Sequence, residues 1–296
     1  MTGVQTCALP IWDMRVIIDS VFIVKAYSHN LVSVKMNGTE RILLGKGIGF
    51  GKKVGDKIEK DTEVEKIFVI DDVDNLRNFK QVIENVDEGF LMLCEKMISY
   101  IENELKEKLD ERIHIALVDH LNFAVKRLSN NEEIENPFLM EIKALYPMEY
   151  SLAQNVVEIL QKEKKVSIPE GEIGFITLHI HSARNSGKLS NTIKSTYLIN
   201  SIIGYVEQQI AVEIDKTSLD YARFLSHLKF AIKRILLDIA VKNDFIREIK
   251  SRYKLSYKIA KGVSKILIKS LEKSVAEDEI AYLAMHIERF RIATKE

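Results

Sequence analysis

The chain has 296 residues, 46% of them hydrophobic and 29% charged, and its 43 basic residues balance 43 acidic ones. Such a composition belongs to an ordinary soluble globular protein with room for two or three cores, and the balanced global charge names no partner. No apolar run approaches the roughly 18 residues that span a bilayer. Two cysteines, Cys7 and Cys94, are too few for a disulfide framework and fit a reducing, cytoplasmic setting.

In chain order, Met1 to Ile11 looks foreign: it resembles the in-frame translation of a sequencing adapter. It has neither the basic start nor the longer apolar stretch of a secretory signal. Residues 1–13 are therefore set aside as non-native, Cys7 with them, and the native sequence is expected to start near Asp13 or Met14.

Residues 14–72 are expected to form a small all-β module. Val32, Val34 and Met36 alternate with Ser33 and Lys35, Asn37-Gly38 supplies a two-residue turn, and Ile42 and Leu44 resume on the return strand. Asn-Gly suits a type I′ turn because both central residues need positive φ. Val64 to Ile70 reads as a further strand. Between Arg15 and Gly55 the seven basic residues Arg15, Lys25, Lys35, Arg41, Lys46, Lys52 and Lys53 face only Asp19 and Glu40. Local positive charge of this kind suits a polyanion partner or simply a solvated surface.

The run Gly45-Lys46-Gly47-Ile48-Gly49-Phe50-Gly51-Lys52-Lys53 is not a P-loop, because it lacks the G-x-x-x-x-G-K-[ST] spacing and the strand–loop–helix context. It offers an aromatic between glycines beside lysines, which suits stacking on an unpaired base plus phosphate contacts. A glycine-rich turn with Phe50 buried in a tight dimer core is the competing reading.

Everything after Asp71 reads as helix, with linkers expected near Asp72–Asn78 and Asn185–Asn191. This region is duplicated. Adding 107 to each number carries His120-Leu121-Asn122-Phe123-Ala124 onto His227-Leu228-Lys229-Phe230-Ala231. The same step carries Glu172, His179 and Ile180 onto Glu279, His286 and Ile287. Asn136, Phe138, Lys143 and Tyr150 likewise land on Asn243, Phe245, Lys250 and Tyr257. Residues 79–185 and 191–296 are therefore expected to be two tandem all-α bundles of about five helices each.

Each copy keeps two histidines in matching apolar frames. A satisfied, half-buried histidine is the bland reading of any one of them. Repetition at four equivalent places favours histidine chemistry, because imidazole is neutral at cytoplasmic pH and has a nitrogen able to carry a phosphoryl group. Arg127 and Arg234 follow His120 and His227 by seven residues, on the same helix face and about 10 Å away. A shared metal fits poorly: His179 and His181 point about 200° apart on a helix, and His114 and His120 also face different ways. No metal or other cofactor is expected. His29 and His181 lack counterparts in the repeat.

From about Val21 onward the chain resembles the BglG/SacY/LicT family of bacterial transcriptional antiterminators, most of all its glucose-type members. The matching motifs are the glycine run at 45–53, Asp119-His120-Leu121-Asn122-Phe123-Ala124, Leu178-His179-Ile180-His181-Ser182-Ala183, His227-Leu228-Lys229-Phe230 and Met285-His286-Ile287-Glu288-Arg289. The resemblance implies a small N-terminal co-antiterminator RNA-binding domain followed by two phosphotransferase-system regulation domains, and no enzymatic activity. It implies a homodimer that clamps a leader-mRNA hairpin and so prevents a terminator from forming, with no membrane insertion. Lys25, Asn30, Gly45, Lys46 and Phe50 are the implied RNA contacts. The implied phosphoacceptors are His120 and His179, served by a transporter's enzyme II B component, and His227 and His286, served by HPr. The chain departs from the family where three asparagines are usual and Ser28-His29-Asn30 stands, only Asn30 matching. Serine replaces aspartate before the second-copy histidine (Ser226 against Asp119). A phosphohistidine relay and a DNA-binding activator built on the same regulation domains are the alternatives. The relay has no use for a basic β module, and the activator needs a helix-turn-helix or an ATPase module.

Overall fold

A computed structural model describes residues 15–17, 19–70, 72–185 and 188–293. The segment read as adapter-derived, residues 1–13, lies outside these described residues, as does Met14. The chain divides into two compact units, one comprising 1–133, 155–169 and 183–186, the other 134–154, 170–182 and 187–296.

Among the described residues the first unit begins with seven strands: β1 (Arg15–Val16), β2 (Val21–Ala26), β3 (Leu31–Met36), β4 (Thr39–Leu44), β5 (Lys57–Ile58), β6 (Glu63–Val64) and β7 (Lys66–Phe68). Five of them form an antiparallel sheet in the order β5-β2-β3-β4-β7, and β1 pairs with β6. The β3–β4 hairpin has the expected register, Met36 opposite Thr39 and Lys35 opposite Glu40. Asn37 and Gly38 both take positive φ, 49° and 83°, as a type I′ turn requires. Val21, Ile23, Val32, Val34 and Leu43 point into one small core with Ile48, Ile58 and Val64.

Helices follow: α1 (Val73–Asn85), α2 (Glu88–Leu105), α3 (Ile113–Ser129), α4 (Leu139–Leu145), α5 (Pro147–Lys164), α6 (Glu170–Arg184), α7 (Leu189–Ile210), α8 (Leu219–Leu236), α9 (Ile246–Arg252), α10 (Lys254–Leu271) and α11 (Glu277–Ala293). Among the described residues five helices, α2–α6, precede five more, α7–α11, in line with about five per copy, and α1 runs into the expected start of the first copy at residue 79. The linker expected at Asp72–Asn78 is not one. Asp72 caps α1 by accepting from the Asn75 amide at 2.8 Å, and the helix buries Phe79 against Phe68, ring centroids 4.7 Å apart. Polar spacing that looked like a loop is a capped first turn whose apolar face is supplied one turn later.

The duplication is visible in backbone detail. Helices α4, α5 and α6 begin 107 residues before α9, α10 and α11. Left-handed residues recur at the same step, Asn131 with Asp238 and Lys165 with Glu272. In the second unit, Asn136 and Asn243 each accept from the amide two residues on, at 3.0 Å. Tyr150 donates to Glu170 at 3.0 Å and Tyr257 to Glu277 at 3.0 Å, while Lys143 and Lys250 pair with those same carboxylates and lie 5.4 Å from the tyrosine rings. The repeated anchors of the sequence are thus a repeated clasp between α4 or α9, α5 or α10, and α6 or α11.

Candidate nucleic-acid and phosphoacceptor sites

At the tip of the β module, residues 28–30 and the glycine run are laced together. Gly45 N–H donates to Asn30 O at 2.9 Å and Gly49 N–H to His29 O at 2.8 Å. The Asn30 side chain joins in through its Oδ1, which accepts from Gly47 N–H at 2.5 Å. Two glycines explain themselves here. A Cβ on Gly49 would sit 2.3 Å from Ser28 O, and Gly47 has φ of +70°. The result presents Phe50, 69% exposed, edge-on to His29 with centroids 5.0 Å apart, beside exposed Lys46. A register shift in β2 between Ile23 and Lys25 turns the end of that strand, so exposed Lys25 arrives at the same end as Asn30. Gly45 itself is buried, close against the Val64 backbone. The expected RNA contacts are therefore one cluster, with Phe50 exposed in the single chain.

The second-copy histidines also come together. His227 on α8 and His286 on α11 have ring centroids 4.9 Å apart, in an open cleft of about 440 Å³ that Arg223, Ser226 and Phe230 also line. Glu279 organises one side. It takes a bidentate pair from Arg234, at 2.5 and 2.9 Å, and stands 3.5 Å from His227 Nε2. Arg234 and His227 thus share a face, as their spacing implied, and one carboxylate between them. Burial would raise the Glu279 pKa, but His227 and Arg234 outweigh it and hold the group at about 2. On the other side Asp220 accepts from Arg223 at 3.2 Å and from Arg289 at 2.9 Å.

His286 is held neutral. Burial, then His227 and Arg289, lower its pKa to about 4, with Asp220 opposing, and its Nδ1 is buried with no hydrogen-bond partner among the described residues. A neutral imidazole with an uncommitted nitrogen, beside two guanidinium groups held by one carboxylate, has the parts needed to take up a phosphoryl group and neutralise it. Sequence reasoning missed Asp220, Arg223 and Glu279 as site residues. The only available signal was that Glu279 repeats Glu172.

In the first copy His120 is half-buried on α3 and His179 is 8% exposed on α6. His181, unrepeated, bonds Glu149 at 3.0 Å and stacks on Tyr146. His114, also unrepeated, bonds the fully buried Glu95 at 2.9 Å, and Lys66 of β7 reaches the same carboxylate at 2.5 Å. Burial alone would raise Glu95, yet His114 and Lys66 keep its pKa below the usual carboxylate value. These two histidines have packing partners of their own. Cys94 is a free, buried thiol whose pKa is driven up by burial and then by Glu95.

A small β module with a basic, aromatic-tipped edge, followed by a duplicated helical bundle that in its second copy pairs two histidines, is the architecture of an RNA-binding regulator. Residues 22–77 match the CAT RNA binding domain, and residues 95–183 and 200–290 each match the PRD domain. The chain is 32% identical over 271 residues to transcription antiterminator LicT of Bacillus subtilis, covering 90% of this chain and 98% of that one. It is 35% identical over 272 residues to protein GlcT of Staphylococcus haemolyticus, covering 90% and 94%. The crystal structure of GlcT CAT-PRDI superposes with a TM-score of 0.50 at 42% identity, covering 55% of this chain and 98% of that one. The chain belongs to the CAT- and PRD-containing family of transcription antiterminators. Among the described residues no helix is long and apolar enough to cross a membrane.

Proposed function

We propose that this protein is a cytoplasmic, non-enzymatic antiterminator that binds a leader-mRNA hairpin as a homodimer and is switched by phosphohistidines. On this reading residues 14–72 bind RNA through Lys25, Asn30, Gly45, Lys46 and Phe50. Residues 79–185 and 191–296 accept phosphate at His120 and His179 and at His227 and His286. The phosphoryl donors are a sugar transporter's enzyme II B component for the first copy and HPr for the second. The observation that carries the regulatory half is the cleft where His227 and His286 face each other between Glu279 and the Asp220-tethered arginines. A phosphoryl group there adds about −1.5 to −2 charge, which draws the arginines off Asp220 and repacks the helix surface.

A reporter placed behind the leader terminator tests the switch. His120→Ala is expected to give antitermination without sugar, and His120→Asp to depress it. If His120→Ala and His179→Ala both keep full sugar dependence, the histidines are structural and the switch is wrong. The RNA half is tested by gel shift of the leader hairpin, where Phe50→Ala should weaken binding by about 1–3 kcal/mol through lost stacking. Normal binding by that variant returns Phe50 to a packing role.

A further inference from the structure

Two of the proposed RNA contacts are already occupied by the protein's own carboxylates. Lys25 Nζ pairs with Glu84 at 2.5 Å, and the Asn30 amide nitrogen donates to Glu88. The Asn30 oxygen already accepts from Gly47 N–H, and one of the two donors of its –NH₂ goes to Glu88. Glu84 lies in the last turn of α1, which ends at Asn85, and Glu88 opens α2, with Val86 and Asp87 between the two helices. Together with the end of β2 they enclose a pocket of about 310 Å³ lined by Lys25, Tyr27, Ser28, Ile83, Glu84 and Glu88.

This seating is built into the fold. Helix α1 is fastened to the sheet by Phe79 on Phe68 and by Lys80 with Glu40 at 2.7 Å. Asp87 caps α2 by accepting from the Phe90 amide at 3.0 Å, which fixes the direction in which Glu88 leaves the junction. Tyr27 reports the acidic surroundings: burial, then Glu40 and Glu84, push its phenol up to about 12.

We propose that Glu84 and Glu88 form an intramolecular carboxylate clamp that stands in for RNA on Lys25 and Asn30, so that hairpin binding requires the α1–α2 junction to leave. This rests on the reading of Lys25 and Asn30 as RNA contacts. A carboxylate offers lysine what a phosphate oxygen does, but the Lys25–Glu84 pair is half-exposed, where ion pairs are weak. RNA, with many phosphates, displaces it at a cost set by the fraction of chains with the junction open. The junction is continuous with α2, which packs on α3, the helix that carries His120. Charge added at His120 therefore has a short path to the clamp, through two packed helices.

The test uses the full chain and a fluorescently labelled imperfect hairpin from the leader of the neighbouring sugar-transport operon, read by anisotropy. The isosteric double variant Glu84→Gln/Glu88→Gln should bind about tenfold tighter than the parent, the gain expected if about a tenth of chains are open. Glu132→Gln/Glu133→Gln, exposed elsewhere in the same unit, removes the same charge and should change affinity little. Adding Lys25→Ala and Asn30→Ala should abolish the gain. If the clamp variant matches the parent while Lys25→Ala weakens both, the clamp is wrong and the RNA contacts stand. If Lys25→Ala and Asn30→Ala change nothing in either background, the RNA-contact reading fails and the clamp with it. A readout without RNA is the tyrosine ¹³C titration: Glu84→Gln should lower the Tyr27 pKa, and an unmoved value means Glu84 is not seated on this surface.

Discussion

The two copies of the helical repeat share a clasp and differ in what surrounds it. Lys143–Glu170–Tyr150 and Lys250–Glu277–Tyr257 are the same arrangement at matching positions. Two residues before each clasp lysine the copies part. Glu141 is fully buried, accepting from Lys216 at 2.9 Å and from Tyr221 at 2.9 Å, whereas its counterpart Glu248 is exposed. The clasp closes a copy on itself, which both copies need. Glu141 joins α4 of the first copy to the start of α8 of the second, a job that exists only once. Duplication preserves what each copy needs alone and frees the rest to make new contacts.

The largest expected effect breaks that asymmetry. Glu141→Ala strands the buried Tyr221 hydroxyl and removes the Lys216 partner, and should cost about 2–4 kcal/mol of unfolding free energy. Glu248→Ala should stay within about 0.5 kcal/mol. Chemical denaturation of both variants measures the difference, and equal losses would remove the distinction drawn between the copies.

Next comes acid. His286 has a folded pKa of about 4, below its ordinary 6.5, so between those values the unfolded chain binds the extra proton. The stability it confers is full above about pH 6.5 and falls as pH drops toward 4, by at most about 3 kcal/mol before solvent screening is allowed for. Glu279, held at about 2, adds loss in the same direction below its ordinary 4.5. His286→Gln should flatten the thermal-stability profile between pH 6.5 and 4. An unchanged profile would mean His286 titrates normally.

A smaller effect lies on α10. A Cβ on Gly262 would stand 1.8 Å from the Tyr205 hydroxyl of α7, so this glycine lets two helices meet. The matching residue in the first copy is Asn155, which instead donates to Tyr100 at 2.9 Å. Gly262→Ala should destabilise by about 1–2 kcal/mol through overpacking, despite the gain of roughly 1 kcal/mol in helix propensity. Tyr205→Leu should restore much of it. The smallest effect tests the clasp itself. Lys250→Ala and Lys143→Ala should each cost less than about 1 kcal/mol, and by similar amounts, since both pairs are solvent-reached.

Much of this was legible in the residues. Alternation around Asn37-Gly38 specifies the hairpin because the turn demands positive φ twice, and that demand is local. The repeat places Tyr150 with Tyr257 and His179 with His286 without any structure. Contacts across long separations were not legible. Glu279 reaches His227 from 52 residues away and Glu88 reaches Asn30 from 58, and nothing in local spacing marks either carboxylate out from a solvated helix face. Asp72–Asn78 misled for a related reason: a capped helix start and a polar linker use the same residues, and Phe79 decides between them only once Phe68 is there to bury it.

Sequence by itself determined the order of a β module and two copied helical bundles, and it picked out the four repeated histidines and the glycine-run cluster, because periodicity, turn chemistry and duplication are written locally. Tertiary structure alone decided which carboxylates meet which cations. Those pairings set whether Lys25 and Asn30 are open to a ligand, whether His286 is neutral, and where Glu141 is buried. Each depends on chain segments brought together by packing, whose electrostatics change with burial and distance and not with position along the chain.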